Sequence, residues 1–251
     1  MKAAIMQPTY LPWLGYFDMI DQVDVFVFFD DVQLVKRSWG VRNRIKSHNG
    51  ELMLTVPVKK TKSLKETKYA GAEINYSENW NRKHLESIKR SYSKAKYFNL
   101  FFPVLEKLLM KEYISVAELN ISIIKELTGL LNIKTEFLRS SELKDITGKK
   151  DERLVSICKA INAGYYLSAR GSASYIEKSN PGGAFASSGI ELYYHNYEHP
   201  QYNQLYGDFL PYMSVIDLIF NEGYDKALEV IRSGRREPLH FSQLRSEENL
   251  N

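Results

Sequence analysis

The chain has 251 residues, 44% of them hydrophobic and 13% aromatic, enough to bury one large α/β core. No run approaches the roughly 18 apolar residues of a membrane span. A single cysteine excludes an internal disulfide. The formal charge of +4 is uneven: Lys36 to Lys68 holds ten Lys or Arg against Glu51 and Glu66, a block of +8 that leaves −4 elsewhere. Such a block favours an anionic partner, whether phosphate, nucleotide sugar, RNA or an acidic carrier protein; a solvated loop is the plainer reading.

The first 46 residues organise the chain. Lys2–Met6 reads as a short apolar strand, Gln7–Gly15 (QPTYLPWLG) as a loop stiffened by two prolines, and Tyr16–Gln22 as a helix. Asp24–Asp31 (DVFVFFDD) is a second strand ending in two carboxylates, followed by the basic stretch Lys36–Lys46. Strand, loop, helix and strand within about thirty residues make the βαβ unit of a parallel sheet. Ligands in such sheets bind beyond the carboxyl ends of the strands, which places Gln7, Tyr10, Trp13, Tyr16, Asp30 and Asp31 at the expected site.

His48-Asn49-Gly50 is a turn signal, and Glu51–Val58 is a third strand whose Pro57 puts it on an edge. Lys59–Lys68 has no apolar period and reads as a mobile loop able to close over an anion. From about residue 79 to 132 the spacing turns helical, three helices forming a lobe inserted in the sheet. Thr135–Arg139 is again a strand, Asp151–Ala163 a helix, Tyr165–Ala169 and Ile190–Tyr197 strands. Met213–Glu222 and Tyr224–Gly234 are helices divided by Gly223. The expectation is one domain over residues 1–241 and a polar, disordered tail over 242–251. The apolar run at the N-terminus is too short for a secretory leader, so a cytoplasmic protein is expected.

Several constellations carry chemistry. Gln7, Tyr10, Trp13 and Tyr16 form a cup that could stack on a planar group and hydrogen-bond it. Arg37, Arg42, Asn43, Arg44 and Lys46, with Trp39 among them, suit a phosphate, because arginine forks bind it bidentately and also stack on rings. Asp30 or Asp31 could hold a substrate amine or hydroxyl, or bind Mg²⁺, and the other cap or pair with Lys36 or Arg37. Two carboxylates alone complete no metal site, and Mg²⁺ would need waters or phosphates as well. His199, held extended by Pro200, is the best general-base candidate, with Tyr202 or Asp217 to orient it; a hydrogen-bonded structural histidine is the alternative. Ser168 and Arg170 lie just past a strand end. Cys158 shares a helix face with Leu154, Ile157 and Ile161 and reads as core. No cofactor or metal set is legible, and oligomeric state is open.

The stretches QPTYLPWLGYFDMI, DVFVFFDDVQ and KRSWGVRNRIK resemble the signature of the WbqC-like family. KAKYF at Lys94–Phe98, LVSICKAINAGYYLS at Leu154–Ser168 and the segment from His199 to Gly223 fit it too. The resemblance implies a place in surface-polysaccharide (O-antigen) biosynthesis. The alternation of elements also resembles the Rossmann-like fold of class I synthetases and nucleotidyltransferases, but the two phosphate-holding histidines of those proteins are missing after the first strand. The expected function is therefore acyl or aminoacyl transfer to a polysaccharide sugar. A phosphorylated donor (nucleotide sugar, aminoacyl-tRNA or carrier protein) would lie on the basic stretch, and the acceptor in the aromatic cup. The rivals are a non-catalytic nucleotide or polyanion binder and a nucleotidyl-transfer enzyme that has replaced its histidines.

Overall fold

The computed structural model describes residues 1–35, 37–59 and 67–248. Lys36, most of the basic Lys59–Lys68 loop and residues 249–251 lie outside them, so the expected pairing of Lys36 and closure of that loop do too.

Six strands form one sheet: β1 (Lys2–Met6), β2 (Val25–Phe28), β5 (Glu136–Arg139), β6 (Tyr165–Ser168), β7 (Glu191–Tyr194) and β8 (Leu239–His240), in the order β5-β2-β1-β6-β7-β8. All pairings are parallel except β7 with β8. The central strand β2 (VFVF) is a continuous, fully buried apolar run because both faces of the sheet are covered there. Alternate residues Ala4, Phe26, Phe28 and Leu167 join one core, and Ala3, Ile5, Val25, Val27 and Leu192 the other. The first core takes α1 (Leu14–Asp21), the three lobe helices α2 (Trp80–Tyr92), α3 (Phe98–Met110) and α4 (Val116–Leu130), and α7 (Val215–Ser233). The second takes α5 (Asp151–Ala160), with Cys158 fully buried in it, the short α6 (Ala173–Ile176) and α8 (Phe241–Glu248). Among the described residues there are eight α-helices, and none is long and apolar enough to cross a membrane.

Two sequence expectations change. The basic stretch and the third strand are partners: β3 (Arg42–Ser47) and β4 (Gly50–Thr55) form an antiparallel hairpin of their own, with Ser47 opposite Gly50 across the predicted turn. The alternation of Asn43 and Ile45, buried, with the long cations Arg42 and Arg44, half-buried, is a strand pattern disguised by charge. At the other end, the region read as a polar tail is helical from Phe241 to Glu248, anchored by Phe241 and Leu244 against the second core. The predicted break in the last long helix is present: Gly223 has φ 78° and ψ 175°, and a Cβ there would lie 2.8 Å from the Tyr97 ring.

The chain winds outward from β1 through β2 to β5, then returns to β6 on the other side of β1. The order of winding therefore reverses between β1 and β6, the position at which open α/β sheets leave a crevice beyond their carboxyl ends.

Candidate functional site

Three segments meet beyond the carboxyl end of β1, tied by backbone bonds. The Tyr10 amide donates to the Trp39 carbonyl, the Ser214 amide to Arg44 and the Val215 amide to Pro12. Asn43 locks the loop from below, its Nδ2 donating to the carbonyls of Tyr10 and Leu11 while its Oδ1 accepts from the Arg44 amide. Asn43 thus spends its polar atoms on the scaffold. Lys46 does likewise: it is buried, with Nζ donating to the Asp208 carbonyl at 2.6 Å.

The segments enclose a pocket of about 260 Å³, walled by Met6, Thr9, Trp13, Tyr16, Trp39, Asn43, Arg44 and Tyr212. Trp13 can fold over the start of α1 only because position 15 is glycine; a Cβ there would come within 2.3 Å of the indole. Trp39 is exposed and carries two guanidiniums, Arg42 at 5.9 Å and Arg44 at 5.7 Å from its ring. Arg44 also donates to the Tyr212 carbonyl and pairs with Glu51. Tyr212 holds a left-handed φ of 60°, a strained conformation for a tyrosine and one that clusters at functional sites.

His199 packs against this wall, its ring stacked on Trp13 at 6.2 Å and edge-on to Tyr212 at 5.0 Å. The loops around Trp13 and His199 therefore meet, although nearly two hundred residues separate them. His199 Nδ1 donates to the Pro200 carbonyl at 2.9 Å. A carbonyl can only accept, so in the neutral ring Nε2 carries the lone pair, and that atom is buried without a partner. Burial lowers the His199 pKa, the Arg44 charge lowers it further, and the Pro200 bond opposes both. The ring is thus a neutral base at pH 7. Among the described residues the other orphaned buried atoms are Thr9 Oγ1 on the pocket wall, Arg42 Nε against Trp39, and Trp80 Nε1, Asn120 Oδ1 and Thr128 Oγ1, of which the last three do not line the pocket.

Other candidates sit differently. Tyr10 is in the core, its hydroxyl hydrogen-bonded to His84 Nδ1 at 2.9 Å, and His84 is pushed down to about 4 by burial. Tyr202 and Asp217 bond each other at 2.9 Å rather than orienting His199, whose Nδ1 partner is Pro200. Asp217 also accepts from Tyr92 and Gln204, and burial raises its pKa against those donors. Asp30 is fully buried and saturated by two Arg139 nitrogens, the Ser141 hydroxyl and the Ser141 amide, which closes it to substrate. Ser168 is buried, with Oγ 3.5 Å from the Ala169 carbonyl. Arg170 and Arg37 are exposed, and neither lines the aromatic pocket. Gln7 is exposed on the ridge between Tyr16, which bonds its carbonyl at 3.1 Å, and Tyr69, whose hydroxyl reaches its side chain at 3.5 Å.

Asp31 faces a second hollow, of about 740 Å³, off the ends of β2 and β5. Its partners there are Arg153 from the first turn of α5 and the Ser140 hydroxyl at 2.6 Å. Sequence reading missed Ser140, Ser141 and Arg153. The two serines follow the strand TEFLR directly, so the rule that ligands lie past strand ends could have found them. Among the described residues no three His, Cys, Asp or Glu side chains gather as a metal set.

The model of the WbqC-like protein family matches residues 7–229, and the chain belongs to that family. It is 32% identical over 228 residues to the uncharacterized protein Rv1507c of Mycobacterium tuberculosis, covering 88% of this chain and 94% of the relative. No solved structure matches it.

Proposed function

We propose that the chain is a transferase that moves an acyl or aminoacyl group onto an amine or hydroxyl of a surface-polysaccharide sugar. The observation that carries this reading is His199: a neutral imidazole, fixed through Nδ1, with an unpartnered Nε2, its ring packed on Trp13 and Tyr212 of the aromatic pocket. A general base needs that arrangement, since it must be unprotonated at working pH and held in one tautomer. Its proton would come from the attacking amine or hydroxyl as the new bond to the carbonyl carbon forms. The same proton would pass to the leaving oxygen or sulfur as the old bond breaks.

The aromatic pocket fits one ring system: its volume is below the roughly 300–1,000 Å³ that drug-sized ligands occupy. Arg42 and Arg44 beside Trp39 suit the phosphate of the donor. Ring and phosphate would then be held by one contiguous surface, where the sequence reading kept donor and acceptor apart. The strand order supports a Rossmann-like assignment: numbered along the chain, the six sheet strands run 3-2-1-4-5-6, the doubly wound order. That fold also houses aminoacyl-activating enzymes, an analogy of fold and not of chemistry.

The test is mass spectrometry of ligands retained through native purification, followed by turnover assays with the donor so identified. Acyl transfer that disappears in His199→Ala while the donor still binds is the expected result. A retained polyanion with no transferable group, bound equally by wild type and His199→Ala, would replace the transferase with a binding protein.

A further inference from the structure

We propose that the hollow off β2 and β5 is a second, separate binding site, for a ligand bearing a vicinal diol of the pyranose type. The argument begins with Asp30. Its saturated carboxylate fixes the 3₁₀ turn Ser140–Glu142 against β2. The Ser140 hydroxyl, within reach of both Asp30 and Asp31, then sets where the Asp31 carboxylate points. Arg153 holds the other Asp31 oxygen. The site is therefore rigid before any ligand arrives, which lowers the ordering cost of binding.

Its chemistry is mixed donor and acceptor. Each Asp31 oxygen has one protein partner and keeps a further lone pair, and Ser141 Oγ, which donates to Asp30, can still accept. Arg153 uses one nitrogen on Asp31, and its guanidinium carries other N–H groups. Lys68 adds a donor on the rim, and Asp145 an acceptor. A phosphate would satisfy only the donors and would face two carboxylates. A nucleobase would find no aromatic wall, since none of the lining residues is aromatic. Adjacent hydroxyls, each both donor and acceptor, fit an Asp–Arg pair with neither group left wanting. The volume is in the range that holds a sugar-sized ligand.

The hollow is also distinct from the aromatic pocket. No residue lines both, and Gln7 lies between them in contact, bonded to Tyr16 of the one and to Tyr69, the neighbour of Ala70 and Gly71 of the other. Its binding does not rest on the transferase reading and can be tested without a donor.

The experiment is saturation-transfer NMR on the full chain with methyl glucopyranoside, methyl galactopyranoside and methyl mannopyranoside, with uridine as the ribose-diol arm and inorganic phosphate as competitor. Gly71→Trp fills the hollow, because a Cβ at Gly71 meets nothing within 4 Å. Asp31→Asn removes the charge with little change of shape. Transfer to at least one pyranoside, weakened about tenfold or more by either variant and unchanged in Trp39→Ala, is expected. Transfer to uridine alone assigns the diol to a ribose and overturns the pyranose. Transfer that survives Gly71→Trp, or that is lost in Trp39→Ala, puts the sugar elsewhere. Binding of phosphate without any pyranoside, or no transfer to any of these probes, overturns the site.

Discussion

Asp217 and His199 are both drawn out of water on the same side of the molecule, and their polar atoms meet opposite fates. Asp217 is completely buried and accepts from Tyr92, Tyr202 and Gln204. His199 has one ring nitrogen on Pro200 and leaves the other bare. A saturated buried group stabilises a fold, whereas an unsatisfied one costs about 1–3 kcal/mol. Among the described residues the fold bears that cost at six side chains: Thr9 on the pocket wall, His199 and Arg42 packed against the pocket's Trp13 and Trp39, and Trp80, Asn120 and Thr128, none of which lines the pocket. Asp217 and His199 are thus separated by counting lone pairs together with position: the bare nitrogen counts because its ring packs on two walls of the pocket.

The comparison breaks most visibly at its catalytic end. His199→Ala is expected to lower turnover by about 10²–10⁴-fold, with only a modest fall in melting temperature from the lost Pro200 hydrogen bond and ring contacts. A turnover loss under about threefold would make His199 a packing residue. On the saturated side, Asp30→Ala leaves Arg139, among the described residues, with only Glu142 at 3.6 Å and strands the Ser141 donors. It is expected to cost about 3 kcal/mol of stability in urea denaturation, the low end for a broken buried pair because Arg139 is partly exposed. A loss below about 1 kcal/mol would show that the network is not a clamp.

Replacing Arg42 and Arg44 together with Gln should weaken donor binding and flatten its salt dependence, with the fold intact. Donor affinity insensitive to both salt and the double variant would remove the anion from this surface. The pH profile sharpens the contrast further. The folded His199 binds a proton less readily than the unfolded ring, which titrates near 6.5. The acid limb of kcat/KM should therefore fall below pH 6.5. The stability contributed by the neutral ring is present above 6.5 and lost as the pH falls through the folded value; His84 does the same over the window from 6.5 down to about 4. An acid limb above 7 would contradict the assignment. The smallest effect belongs to Cys158, whose thiol burial pushes up to about 12. Cys158→Ala should cost about 1 kcal/mol and no activity; lost turnover in a folded variant would mean the thiol reacts.

What the sequence showed follows from which signals are local. Continuous apolar runs such as VFVF and the spacing of Val116, Leu119, Ile123 and Leu127 announce buried strands and helices directly. The β3–β4 hairpin escaped because its exposed register is filled with long cations, which reads as a solvated stretch until Asn43 and Ile45 are seen to be buried. The aromatic loops were legible as a site through their density of polar rings. Tyr10 within them was not separable from its neighbours, because only the position of His84, 74 residues on, turns it into the core. Asp30 and Asp31 were equally indistinguishable by sequence. Arg139 and Arg153, more than a hundred residues away, decide that one is sealed and the other open.

The reversal of winding at β1 also sets a timetable. Lys2 pairs with Tyr165, so β1 lacks one neighbour until the ribosome has delivered β6. Trp13 waits longer still, for His199. At about 5–20 residues per second, that interval is about 10–40 s of synthesis. During it the helical lobe can already pack against β1 and β2, while the aromatic loop remains an open edge that a ribosome-bound chaperone could cover. The pocket is begun early and completed late: a nascent chain truncated before β6 would carry seven of its eight walls, but neither Tyr212 nor the base.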